Sequence, residues 1–101
     1  MKHTFKLFVS GDTMRARNAR TALHQLCEEH LAGRYEIEVI DVIDRPDEAE
    51  EHRIIVTPAI VKMHPPPPRR AVGDMRDGER VIHALQIRLG PIETRSQEAR
   101  T

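Results

Sequence analysis

The sequence predicts one mixed α/β domain whose elements run βαβαββα. Three observations predict it. The first is a strand-like run, a long amphipathic segment and a second strand-like run, in that order, up to Ile43. The second is a short acid-rich segment opened by Pro46. The third is a pair of short apolar runs split by Pro65–Pro68 and followed by a last amphipathic segment. At 101 residues the chain suits one domain with one modest core.

Each element has a local reason. Phe5 to Ser10, "FKLFVS", is rich in strand formers and alternates loosely. "GDT" breaks it, and Asp12 or Thr13 can accept from the first free amides of a helix. From Met14 to Leu31, apolar residues recur at Ala16, Ala19, Leu23, Leu26, Cys27 and Leu31, steps of three and four that fit one helical face. Gly33 can end that helix. Tyr35 to Ile43 reads as a strand, with Tyr35, Ile37 and Val39 on one side. Its later part, "VIDVI", is apolar enough to be buried on both faces, as in a parallel sheet. Strand, helix and strand then make a right-handed crossover unit.

Asp44 can cap the next helix, Pro46 suits its first turn, and Asp47 and Glu48 suit the positive end of its dipole. That helix is expected from Pro46 to about His52. "PAIVKM" is the third strand, the proline run a loop, and "RRAVGD" a short fourth strand. Asp74 or Asp77 starts a last helix of roughly Gly78 to Leu89. The domain is expected to span residues 1–90, with 91–101 a polar, fraying tail. A βαβ half followed by a ββα half is the minimal thioredoxin-like arrangement. In that fold a proline, commonly cis, opens the third strand, and Pro58 stands at that place.

Bulk composition excludes several classes. The formal net charge is zero, so nothing global favours nucleic acid, which calls for a basic excess. No run of eighteen apolar residues occurs, so no membrane span is expected. "MKHTFKLFVSGDT" has no long apolar core of a signal peptide and no small-residue cleavage site. Cys27 stands alone, so it forms no internal disulfide, and a cytoplasmic setting is the simplest reading.

Several pieces together resemble the KaiB family of bacterial circadian clock proteins. They are "KLFVSGDT", the stretch from Tyr35 to Met75, and "GERVIHAL", which together reach from Phe5 to about Leu89. The most specific block is Thr57-Pro58, the apolar strand Ala59–Met63, Pro65 to Pro67, Arg69-Arg70, Ala71-Val72 and Gly73-Asp74. The resemblance implies a protein–protein interaction module that is not an enzyme. Such proteins bind the ATP-driven KaiC ring, recruit KaiA there and displace a clock-output histidine kinase. The resemblance also implies two folds: a thioredoxin-like monomer, and a tetramer of order βαββααβ in which the chain from about Glu50 onward is rearranged.

The prolines fit that picture. Proline fixes φ and removes a donor, so Pro65, Pro66, Pro67 and Pro68 cannot extend a ladder and act as a stiff connector. X-Pro bonds, Pro58 included, also interconvert over roughly tens to hundreds of seconds, which suits a slow switch. The segment "VIHALQIRL" carries both helical and strand periods. Familiar clock members have Gly and Asp where this chain has Ala84 and Gln86. Both differences are expected to favour the helix of the thioredoxin-like monomer, Gly to Ala by about 0.8–1 kcal/mol. Reverting Ala84→Gly with Gln86→Asp is expected to shift the population toward the other fold.

Candidate contact residues follow. Arg69 and Arg70 match the family's basic pair and suit charge-assisted bonds to a partner, or a charged edge that deters strand pairing. Arg15, Arg17 and Arg20 load positive charge onto the unfavourable end of a helix dipole, as a solvated face or toward an acidic partner. Asp47, Glu48, Glu50 and Glu51 make an acidic patch that also serves as ordinary helix-start chemistry. His24, Cys27 and His30 are too spread for zinc, and Cys27 reads as a core thiol, so no metal and no cofactor is expected. A thioredoxin-type redox enzyme needs cysteines where "GDTMRARN" stands. A third reading is a non-clock adaptor docking on a histidine kinase or another ATPase.

Overall fold

The computed structural model describes residues 2–87, and the element order is the expected one. β1 (His3–Val9), α1 (Met14–Leu31) and β2 (Tyr35–Asp41) form the crossover half. α2 (Pro46–Glu51), β3 (Ala59–His64), β4 (Arg69–Val72) and α3 (Gly78–Leu85) form the rest. The four strands lie in the order β2-β1-β3-β4, with β1 and β2 parallel and the β1–β3 and β3–β4 pairs antiparallel. The proline run joins β3 to β4. Thr57–Pro58, His64–Pro65 and Pro66–Pro67 are cis.

Alternation sorts the side chains between two faces. Phe5, Leu7, Val9, Ile60 and Ala71 meet Ala19, Leu23, Cys27 and Leu31 of α1 and Val81 and Leu85 of α3. Tyr35, Ile37 and Val39 pack against this larger core. On the other face Phe8, Ile40, Ala59 and Val61 meet Ala49 of α2. That helix is also held by charge. Lys6 Nζ donates to Glu48 Oε2 at 2.8 Å, and Arg45 donates to Glu38 at 3.1 Å and also to Glu48. The bond from Lys6 is the first cause that holds the Glu48 carboxyl below the usual range.

Several local expectations are corrected. β2 is an edge strand and ends at Asp41, so "VIDVI" is not buried on both faces, and Ile43 is 67% exposed. Asp41 Oδ1 accepts from the amides of Gly11 at 3.1 Å and Ile43 at 2.9 Å, which turns the chain out of the sheet. The strands buried on both faces are β1 and β3. Thr13, not Asp12, caps α1, its hydroxyl accepting from the Ala16 amide at 3.1 Å. As expected, Gly33 ends α1 in left-handed backbone at φ 79°, and Ala32 before it is left-handed too. Arg45, not Asp44, occupies the N-cap of α2 and makes no side-chain cap bond. Asp77, not Asp74, caps α3 through the Arg80 amide. That helix stops at Leu85; Leu89 and the 91–101 tail lie outside the described residues.

Candidate interaction surface

β4 carries the basic pair, and the pleat sends its two arginines to opposite faces. Arg69 shares a face with Ala71 and the larger core, and Arg70 shares a face with Val72 and α2. Each reaches the end of a different helix. Arg70 donates to the carbonyls of His52 at 2.7 Å and Arg53 at 3.3 Å, just past α2. Arg69 Nε donates to Gln86 Oε1 at 3.1 Å, just past α3.

Those two helix ends have the same geometry. At α2 the Arg53 amide bonds to Glu50 O and the Ile54 amide to Ala49 O, with Arg53 at φ 54°. At α3 the Gln86 amide bonds to His83 O and the Ile87 amide to Ile82 O, with Gln86 at φ 52°. Both are paired-bond left-handed caps of the kind that prefers glycine. The helix-propensity argument for Gln86 is therefore corrected. Gln86 lies outside the helix, where left-handed backbone and its bond to Arg69 matter. Ala84 is inside α3, where helix propensity applies.

The other expected contact residues do not converge on β4. Arg17 and Arg20 line a shallow hollow of about 400 Å³ with Asp12, Val39 and Asp41, against the β2 edge at the far side of the sheet. Arg17 pairs with Asp12 at 3.6 Å. Arg15 lies between these sites, in hollows with Thr57, Pro58 and Gly73. Glu50 and Glu51 are exposed on α2, beside the end that Arg70 grips.

Two features escaped the sequence reading. Ile55 is 92% exposed, and Val56 and Val72 are also exposed. The 52–58 loop runs from the carbonyls gripped by Arg70 to Pro58, whose carbonyl accepts from the Gly73 amide at 2.9 Å, so these residues flank β4. Lys62 is buried and donates to the Gln86 carbonyl at 3.4 Å. Its parity with Ile60 in "AIVKM" was the available signal. Beside it His3 is buried with neither ring nitrogen hydrogen-bonded, and desolvation and the Lys62 charge lower its pKa.

The turn from β1 into α1, Gly11 to Asn18, holds no cysteine. Cys27 is fully buried in α1, and burial pushes its thiol up to about 12. No group of three His, Cys, Asp or Glu side chains among the described residues is placed to hold a metal. No helix among them is long and apolar enough to cross a membrane. The arrangement is that of a thioredoxin-like domain without the thiol pair. The N-terminal domain of Synechococcus elongatus SasA matches it at a TM-score of 0.71, with 24% identity over 89% of each chain. Chloroplastic thioredoxin z matches at 0.66, with 25% identity over 85% of this chain and 78% of its own.

The chain belongs to the KaiB family: the KaiB domain model matches residues 6–87. The circadian clock protein KaiB3 of Synechocystis is 39% identical over 82 residues, 81% of this chain and 80% of its own. The circadian clock oscillator protein KaiB of Gloeothece citriformis is 36% identical over 96 residues, 95% of this chain and 91% of its own.

Proposed function

We propose that this chain is a cytoplasmic clock-type docking module that binds a KaiC-type ATPase ring and changes what else binds there. A KaiA-like protein or a clock-output histidine kinase is the second partner. It works by contact and not by catalysis. The observation that carries this reading is the family match across residues 6–87, which includes the whole block from Thr57 to Asp74. Arg69 and Arg70 supply the main contact, with Glu50 and Glu51 on the adjoining face. Arg17 and Arg20 belong to a separate contact on the β2 side. The working state is the thioredoxin-like monomer, and Ala84 in the interior of α3 favours it over the rearranged tetramer.

Size-exclusion chromatography with light scattering, with and without a KaiC-type ATPase and ATP, tests this. A monomer that joins the ring promptly is expected. A tetramer that joins only over hours would replace the monomer reading with a switching one. A monomer that never joins would overturn ring docking and leave the adaptor reading, with another kinase or ATPase as partner.

A further inference from the structure

We infer that the outer edge of β4 takes an extended acidic segment of a partner protein as a fifth strand. The segment carries two adjacent carboxylate residues, then one small residue and one apolar residue, read in either chain direction.

Three observations lead there. First, β4 pairs only with β3 among the described residues, so alternate residues of Arg69–Val72 present unpaired backbone groups outward. Second, the cations of this edge are positioned but not neutralised. Lys2, Lys6, Arg17, Arg45 and Arg76 each meet a carboxylate, whereas Arg15, Arg20, Arg34, Arg53 and Arg80 make no ion pair among the described residues. Among the described residues Arg69 and Arg70 meet only an amide oxygen and backbone carbonyls. A guanidinium has five N–H donors, so both keep donors for a carboxylate while still gripping their helix ends. Third, exposed Val72, Ile55 and Val56 add apolar surface next to those charges. The opposite edge, β2, carries Glu36 and Glu38, already paired with Lys2 and Arg45.

The pleat then fixes the spacing. Side chains directly opposite each other in adjacent strands lie on the same face. A residue opposite Arg69 and the next one opposite Arg70 both want carboxylates, one on each face of the sheet. The third lies opposite Ala71, which is buried, so it is small. The fourth lies opposite Val72 and is apolar. Gly73, at φ 87°, turns the chain away and ends the pairing. This deepens the docking reading by stating the chemistry and backbone form of what Arg69 and Arg70 hold, and it rests on that reading only in the choice of partner.

The test is an amide NMR titration of the full chain with blocked ten-residue peptides. One contains Glu-Glu-Ala-Val, one the reversed order, and matched controls replace both glutamates by glutamine. One acidic direction is expected to shift amides of Arg69–Val72 and of the 53–57 loop. The glutamine control is expected to bind at least about tenfold more weakly, as are Arg69→Gln and Arg70→Gln. Val72→Asp keeps both arginines and their helix-end bonds, and is expected to weaken binding similarly. Equal binding of the glutamine control, shifts on β2 instead, or no shifts with either acidic peptide would overturn strand addition. So would slow hydrogen exchange at the outward β4 amides of the free chain, which would mean that the chain itself covers the edge. Ring binding with no peptide binding would sink this inference alone. Peptide binding without ring binding would sink ring docking alone.

Discussion

On one face of the sheet, the eighteen-residue α1 and the eight-residue α3 bury Ala19, Leu23, Cys27, Leu31, Val81 and Leu85 against Phe5, Leu7, Ile60 and Ala71. On the other face, the six residues of α2 offer one buried alanine, Ala49, to Phe8, Ile40, Ala59 and Val61. The first face is held by apolar area. The second adds a chain of charges, Glu38–Arg45–Glu48–Lys6, and the grip of Arg70 on the α2 end. Apolar contacts are not screened by salt, whereas partly exposed ion pairs are, and those pairs also titrate. The α2 face is thus the softer one.

The largest break comes from the apolar face. Leu85 is fully buried at the end of α3. Leu85→Ala is expected to cost about 2–5 kcal/mol in chemical denaturation. If the loss were no greater than that of an exposed substitution, α3 would not be part of the core in solution.

Glu48→Gln breaks the charge chain at its shared member. Its expected signature is local: faster hydrogen exchange in α2 and the 52–57 loop, and unchanged protection in α1. The pH dependence has a definite sign. The Glu48 carboxyl titrates below its ordinary range, so its stabilisation is present above the unfolded-state value and is lost as pH falls through the folded one. The variant is expected to lose that part of the acid sensitivity and some salt sensitivity. Equal effects in α1 and α2 would mean that the two faces are one cooperative unit.

The two helix ends allow a finer comparison. Arg53 and Gln86 occupy left-handed positions that cost a non-glycine residue roughly 1–2 kcal/mol. Arg53→Gly is expected to stabilise by roughly 0.5–1 kcal/mol, after allowing for glycine's freer unfolded chain. Arg70 bonds to backbone carbonyls there, so its grip survives the change. Gln86→Gly removes the Oε1 acceptor of Arg69 and is expected to gain less. Equal denaturation midpoints for the two variants would show that the Arg69–Gln86 bond contributes nothing.

What was legible in the sequence was what periodicity and local chemistry encode. All seven elements, the Met14–Leu31 helix to the residue, the buried Cys27 and the proline connector were readable. Sheet order is a non-local property. Nothing in "VIDVI" says that its strand lies at an edge, so Ile43 was read as buried. Arg69 and Arg70 stand side by side in the sequence as a basic pair. The pleat separates them, and only the folded sheet brings each to its own helix end. Gln86 was misread because helix propensity says nothing about where a helix stops. "HALQI" contains no glycine to mark a left-handed cap.

The smallest expected effect tests the apolar face from within. His3 is buried, stacks at 6.2 Å on Phe5, and has Lys62, Arg34 and the N-terminal amine as its electrostatic neighbours. Desolvation comes first among the causes that keep its imidazole neutral. In the unfolded chain the same ring takes a proton near pH 6.5. Between that value and the lower folded one, the unfolded state binds more protons, so stability falls as pH falls and then levels off. The slope from this residue is at most about 1.4 kcal/mol per pH unit. His3→Leu keeps an apolar side chain in the site and removes the titration. The difference between the two stability curves from about pH 7.5 to 5.5 isolates His3 from the other histidines. A flat difference would mean that His3 is solvated or paired in solution. The larger core would then be open at its Lys62 end, and the contrast between a dry face and a charged one would narrow to α1 and the middle of the sheet.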